Sequence, residues 1–146
     1  MKRSLRELSK ARHDCPYTNV LVRYLTQDDD AQFQVAADVI EGCTSDDPGH
    51  VCREVMIELV WVLERSYKYS REEIAEALLS IVTASQLSVE NAQDIASIVN
   101  LYRDEGYDFP DLMIRQAAQR AENRILKTFD QKLAKLDGVE LLGTTH

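Results

Sequence analysis

Residues 55–63 read VMIELVWVL, apolar on every helical face except for one glutamate, Glu58. A helix of this kind has no polar side to turn toward water, so it is expected to be buried inside a layered fold. The run is far shorter than the ~20 apolar residues that a membrane-spanning helix needs, so the covering layers must be protein. A chain of 146 residues has the size of one domain able to bury a core of its own.

The flanking sequence supplies the layers. From Thr18 the residues Val20, Leu21, Tyr24 and Leu25 form one helical stripe, broken by Asp28-Asp29-Asp30. A second helix is expected over residues 30–41, with Phe33, Ala36, Ala37 and Ile40 facing inward and Gly42 ending it. Residues 43–49, CTSDDPG, are rich in turn formers and are expected to be a loop. Ser70 and Glu73 fit a capping box, and Ile74, Ala77, Leu78 and Ile81 continue the helix that it opens. Leu87-Ser88-Val89 suits a short strand, and Ala92, Ile95, Val99 and Tyr102 mark a helix closed by Gly106.

Pro110 fits a first helical turn, and the helix behind it is expected to run to about residue 124. There the period switches to a strand over residues 124–129, a short helix over 131–136, a turn at Asp137-Gly138 and a last strand over 139–142. Short strands alternating with helices imply an α/β fold, a short parallel sheet flanked by helices on both faces.

Composition narrows the function. The net charge of -8 repels nucleic acid at long range and argues against a simple DNA-coating protein. Residues 1–16 are the exception, with a surplus of +3, and are expected to form an atypical basic segment ahead of a domain over residues 17–146. The start lacks the apolar stretch of a secretory signal, and three cysteines are too few and too odd for a disulfide framework, so a cytoplasmic setting is expected. Cys43, His50 and Cys52 lack the paired spacing of zinc sites, and no nucleophile elbow, phosphate loop or dinucleotide fingerprint occurs.

Three acids stand out instead. Glu58 lies in the apolar run, where an ionised group either finds a cation or snorkels at the rim of the core. Asp111 falls in the first turn behind Pro110, as a partner of the helix dipole or as a ligand freed by Asp108, the better cap candidate. Asp130 stands where a strand ends and a helix begins, the place of an N-cap and also of ligand sites in open α/β sheets. Brought together, these carboxylates would raise one another's pKa unless a divalent ion neutralised them, and oxygen donors select magnesium or manganese.

The segments TNVLVRYLTQDD, IELVWVLERSYKYSREEI, DFPDLMI and TFDQKLAKLDGVELL, in this order and spacing, resemble the PIN-domain ribonucleases, specifically the VapC-like toxins of toxin-antitoxin pairs. The resemblance implies a three-layer α/β fold, and an acidic site holding magnesium or manganese for hydrolysis of RNA. It places Glu58, Asp111 and Asp130 at the second, third and fourth acidic positions as catalytic metal ligands, with Thr18, Asn19 and Thr128 in supporting polar places. An RNA substrate, a cognate antitoxin and a homodimer are implied as partners. The first acidic position is occupied by Tyr17, and Pro16 stands in the strand that should precede it. An alternative follows: a catalytically impaired remnant that binds an antitoxin or a second copy of itself. A helical interaction protein with incidental acids is the third reading, and it requires the three carboxylates to lie apart.

Overall fold

The computed structural model describes residues 14–143; most of the basic segment expected over residues 1–16 lies outside the described residues. The chain runs α1 (Thr18–Thr26), α2 (Asp30–Glu41), β1 (Gly49–Val51), α3 (Arg53–Arg65), α4 (Arg71–Thr83), β2 (Leu87–Val89), α5 (Ala92–Glu105), α6 (Phe109–Arg120), β3 (Leu126–Thr128), a 3₁₀ turn (Leu133–Lys135) and β4 (Val139–Leu141). Helices alternate with short parallel strands, as the hydrophobic periods require, and the α/β class expected from sequence is the observed one.

Among the described residues the strands form two separate parallel pairs, β1 with β2 and β3 with β4. Pro16 gives the physical reason why nothing bridges from the β1 side. The His50 N–H donates to the Asp14 carbonyl at 2.7 Å, the first bond that a strand laid parallel to β1 along its open edge would make. The next bond of such a ladder would run from the N–H of residue 16 to the His50 carbonyl, and proline has no N–H. Gly49 admits this approach, because a Cβ there would meet the Cys43 Sγ at 3.1 Å and Pro16 Cδ at 3.3 Å. The pairing therefore stops after one bond, and α1 begins two residues later.

The helix α3 is buried along one side, through Val55, Met56, Leu59, Val60 and Leu63. The expectation of burial all round is corrected on the other side, where Glu58 is exposed and Trp61 is 55% exposed. Tyr102 and Phe109 meet edge to face at 5.9 Å within the same core, joining α5 to the start of α6. The Arg53 guanidinium donates to the Gln116 side chain and the Met113 carbonyl, tying the start of α3 to α6. The capping box at Ser70 and Glu73 is present in both directions, at 3.1 and 3.0 Å. Gly106 closes α5 in the left-handed region, φ 73°, which glycine enters without steric cost.

Four boundaries differ from expectation. The turn-rich stretch after Cys43 leads into β1, a strand too short for its alternation to register. The helix α6 ends at Arg120 rather than near residue 124, because Glu122 and Asn123 adopt left-handed backbone and reverse the chain. The strand after it is three residues long, and the short helix after Asp130 is a single 3₁₀ turn. Asp108 is the N-cap residue of α6, but its side chain makes no capping bond and lies 3.6 Å from Arg71 instead.

Candidate active site

The acids reach their places by different means. Asp111 is in the first turn of α6, set there by Asp108-Phe109-Pro110, with Pro110 suited to the opening turn. Asp130 follows the carboxyl end of β3, and its Oδ1 accepts from the Leu133 N–H at 3.0 Å while its own N–H donates to Thr128 Oγ1 at 3.0 Å. Thr128 thus supports Asp130 directly, and the cap that the sequence offered as an alternative is made. That cap engages one carboxylate oxygen of Asp130.

Asp111 faces the end of β3 that leads into Asp130, since it lines a groove with Leu126, Thr128 and Leu133. Burial pushes the Asp111 carboxyl above the usual carboxylate range, and the charges of Asp108 and Asp130 push it further. This is the mutual repulsion expected of carboxylates that share a locality without a neutralising cation. Asp111 lies where two grooves meet. One is walled by Ile57, Val60, Trp61, Glu64, Arg65 and Asp108, the other by Ile114, Leu126, Lys127, Thr128 and Leu133.

Glu58 lines different grooves. It borders one with Tyr17, Thr18, Asn19, Arg23 and Tyr67, and a second with Cys15, His50, Cys52 and Glu54. Tyr17, 58% exposed, borders both, so Tyr17 and Glu58 stand beside the same two grooves. Thr18 is 2% exposed, and its Oγ1 is a buried hydroxyl without a hydrogen-bond partner. Among the described residues no three His, Cys, Asp or Glu side chains gather closely enough to hold a metal ion. The residues expected from sequence thus divide into Asp111 and Asp130 about Thr128 and Leu133, and a group of Glu58, Thr18 and Asn19 beside Tyr17.

Glu64 and Asp108 border the Asp111 groove and were not singled out in sequence as candidates for this site. The signal for Glu64 was present, since Ile57, Val60, Trp61 and Glu64 recur at three- to four-residue spacing along one side of α3. Glu64 Oε1 accepts from the buried Tyr102 hydroxyl at 3.1 Å. Basic side chains near the acids are engaged internally. Arg23 bonds Asp28, Tyr67 and Gln32, Arg115 donates to the Asp137 carbonyl, Lys127 pairs with Glu140, and Lys132 lies over the Tyr107 ring.

The PIN domain model matches residues 17–139, nearly the whole described chain. The chain belongs to the PIN-domain family. A VapC ribonuclease from Aquifex aeolicus (strain VF5) is 31% identical to it over 86 residues, covering 59% of this chain and 64% of that protein's length. The chain thus spans somewhat under two thirds of that relative. No solved structure matches it. Among the described residues of this PIN domain no helix is long and apolar enough to cross a membrane. The parallel pairing of strands and the alternating helices agree with the family's α/β architecture, and Tyr17 is the first residue of the matched region.

Proposed function

We propose that this PIN domain is a toxin-antitoxin-type endoribonuclease that hydrolyses RNA phosphodiester bonds with the help of magnesium or manganese, at an activity lowered by Tyr17. The observation that carries the reading is the groove that Asp111 shares with Thr128 and Leu133, the two residues whose hydrogen bonds hold Asp130, and burial with the neighbouring carboxylates raises Asp111 there. Oxygen-only donors such as these fit a hard divalent cation. Asp111 and the free oxygen of Asp130 would hold it, and Glu58 is the third residue proposed for the site. Such an ion supplies Lewis-acid polarisation of the phosphoryl oxygen and a more acidic bound water.

The chain's own residues do the rest. Thr128 fixes the backbone at Asp130, and the 3₁₀ turn orients that carboxylate. The first turn of α6 carries Asp111, at the end of the helix where a negative charge is favoured. RNA is the proposed substrate, an antitoxin protein and a second copy of the chain are the proposed partners, and the cytoplasm is the proposed setting.

Tyr17 and the separation of Glu58 from Asp111 favour a second reading, a non-catalytic member that keeps its binding surfaces. One experiment divides the two. Purified chain is incubated with single-stranded RNA and magnesium or manganese, beside Asp111→Asn and a chelator control. The nuclease reading expects cutting that both controls abolish; cutting no greater than that of Asp111→Asn refutes it and leaves the binding reading.

A further inference from the structure

The one tryptophan of the chain stands on the open side of α3, 55% exposed, although it is the largest apolar residue of that helix. The Arg65 guanidinium lies over its ring, 5.5 Å from the centroid. Trp61 and Arg65 line a groove of about 240 Å³ together with Pro110 and Asp111.

We propose that Trp61 is a stacking platform for one base of single-stranded RNA, which sets the adjoining phosphate toward Asp111. The inference rests on the nuclease reading above and names a substrate-positioning residue for it. Bases taken out of a helix are held by aromatic faces and guanidinium planes, and this groove offers one of each within contact of the other. Its remaining walls decide between RNA and a protein partner. Glu64, Asp108 and Asp111 bring three carboxylates to the same groove, the first bonded by the Tyr102 hydroxyl and the second beside Arg71, whereas the core of a protein–protein interface is depleted in charge. An uncharged base tolerates that rim, and a cation held at Asp111 would draw the phosphate that follows the base.

The single tryptophan makes the test direct. A fluorescein-labelled oligoadenylate and an abasic oligomer of equal length are titrated with magnesium into full-length Asp111→Asn chain, so that no RNA is consumed. Intrinsic fluorescence and anisotropy are read together. The expected result is quenching of the indole by the oligoadenylate and not by the abasic oligomer. Adding Trp61→Ala weakens oligoadenylate binding roughly 5- to 150-fold, the range of one stacked base, while Trp61→Phe retains most of the affinity.

In the otherwise wild-type chain, Trp61→Ala raises KM for oligoadenylate cleavage with little change in kcat. Equal affinities with and without Trp61, an absence of quenching, or equal binding of the abasic oligomer overturns the proposal. A blue shift that follows protein concentration alone also overturns it, by assigning the indole to self-association. If the nuclease reading itself fails, cleavage is missing while base-dependent quenching persists; if only the platform fails, cleavage persists without any dependence on Trp61.

Discussion

The two strand pairs of this PIN domain carry the same topology and different fates. On the β1–β2 side every second residue is buried: Val51 is 0% exposed, Leu87 9% and Val89 7%. On the β3–β4 side no strand residue is buried, and Leu141 is 45% exposed. Yet the β3–β4 side holds the candidate acids Asp111 and Asp130, whereas the β1–β2 side meets Pro16 and Tyr17 where a strand and an acid are expected. The comparison separates what holds the fold together from what performs chemistry. Layers around α3 maintain the core after one strand pairing is cut short, but a site assembled from strand ends depends on every strand that contributes to it.

The largest expected effect tests the packing half of that contrast. Leu87→Ala on β2 is expected to cost about 2–5 kcal/mol, from lost transfer energy and the cavity left behind, while Leu141→Ala on β4 stays within about 0.5 kcal/mol. Urea unfolding of both variants checks this, and equal losses would erase the distinction between the two sides. Next in size, Tyr17→Asp places a carboxylate beside Glu58 and Thr18, and is expected to raise metal-dependent RNA cleavage about 10- to 100-fold. Cleavage unchanged by Tyr17→Asp, measured on the same RNA, would detach the β1 side from the chemistry altogether.

The contrast also shows what the sequence was able to reveal. Helices wrote themselves plainly: the Ser70–Glu73 box, the stripe from Ile74 to Ile81 and the stop at Gly106 each appear where local chemistry put them. Strands of three residues carry one alternation at most, so β1 hid inside a turn-rich segment and β3 seemed longer than it is. Glu58 was harder for another reason. Its apolar neighbours implied burial, but whether that side of α3 is covered depends on partners distant in sequence, and there it is open. That Asp111 would border the end of β3 was legible only through the family resemblance, since nothing local links a helix start to a strand end 19 residues away.

A smaller effect tests why the β1 edge is open. Pro16→Val supplies an N–H facing the His50 carbonyl, and one added ladder bond is worth about 0.5–1.5 kcal/mol. The gain is expected as a higher urea midpoint and as slower amide exchange at residues 16 and 50. A stability unchanged or lowered, with fast exchange at both, would mean that the path of the chain past Gly49, rather than the missing N–H, ends the pairing.

The smallest effect belongs to the acid pair. Because the Asp111 carboxyl is raised in the folded chain, through burial first and then through Asp108 and Asp130, folding favours its protonated form. Its contribution is therefore fully present below the unfolded aspartate pKa and is lost as pH rises through the elevated folded value, so at neutral pH the charge destabilises. Asp111→Asn removes that charge and is expected to stabilise the chain at pH 7 by less than about 1 kcal/mol, discounted for solvent screening. The gain should vanish in acid, where wild type is protonated, and magnesium should narrow it at neutral pH by stabilising the wild-type carboxylate. Melting curves at both pH values, with and without magnesium, give the three comparisons. A loss of stability in Asp111→Asn at pH 7 without the ion would mean that Asp111 serves chiefly the dipole of α6, and would remove the electrostatic ground for pairing it with Asp130 in a cation site.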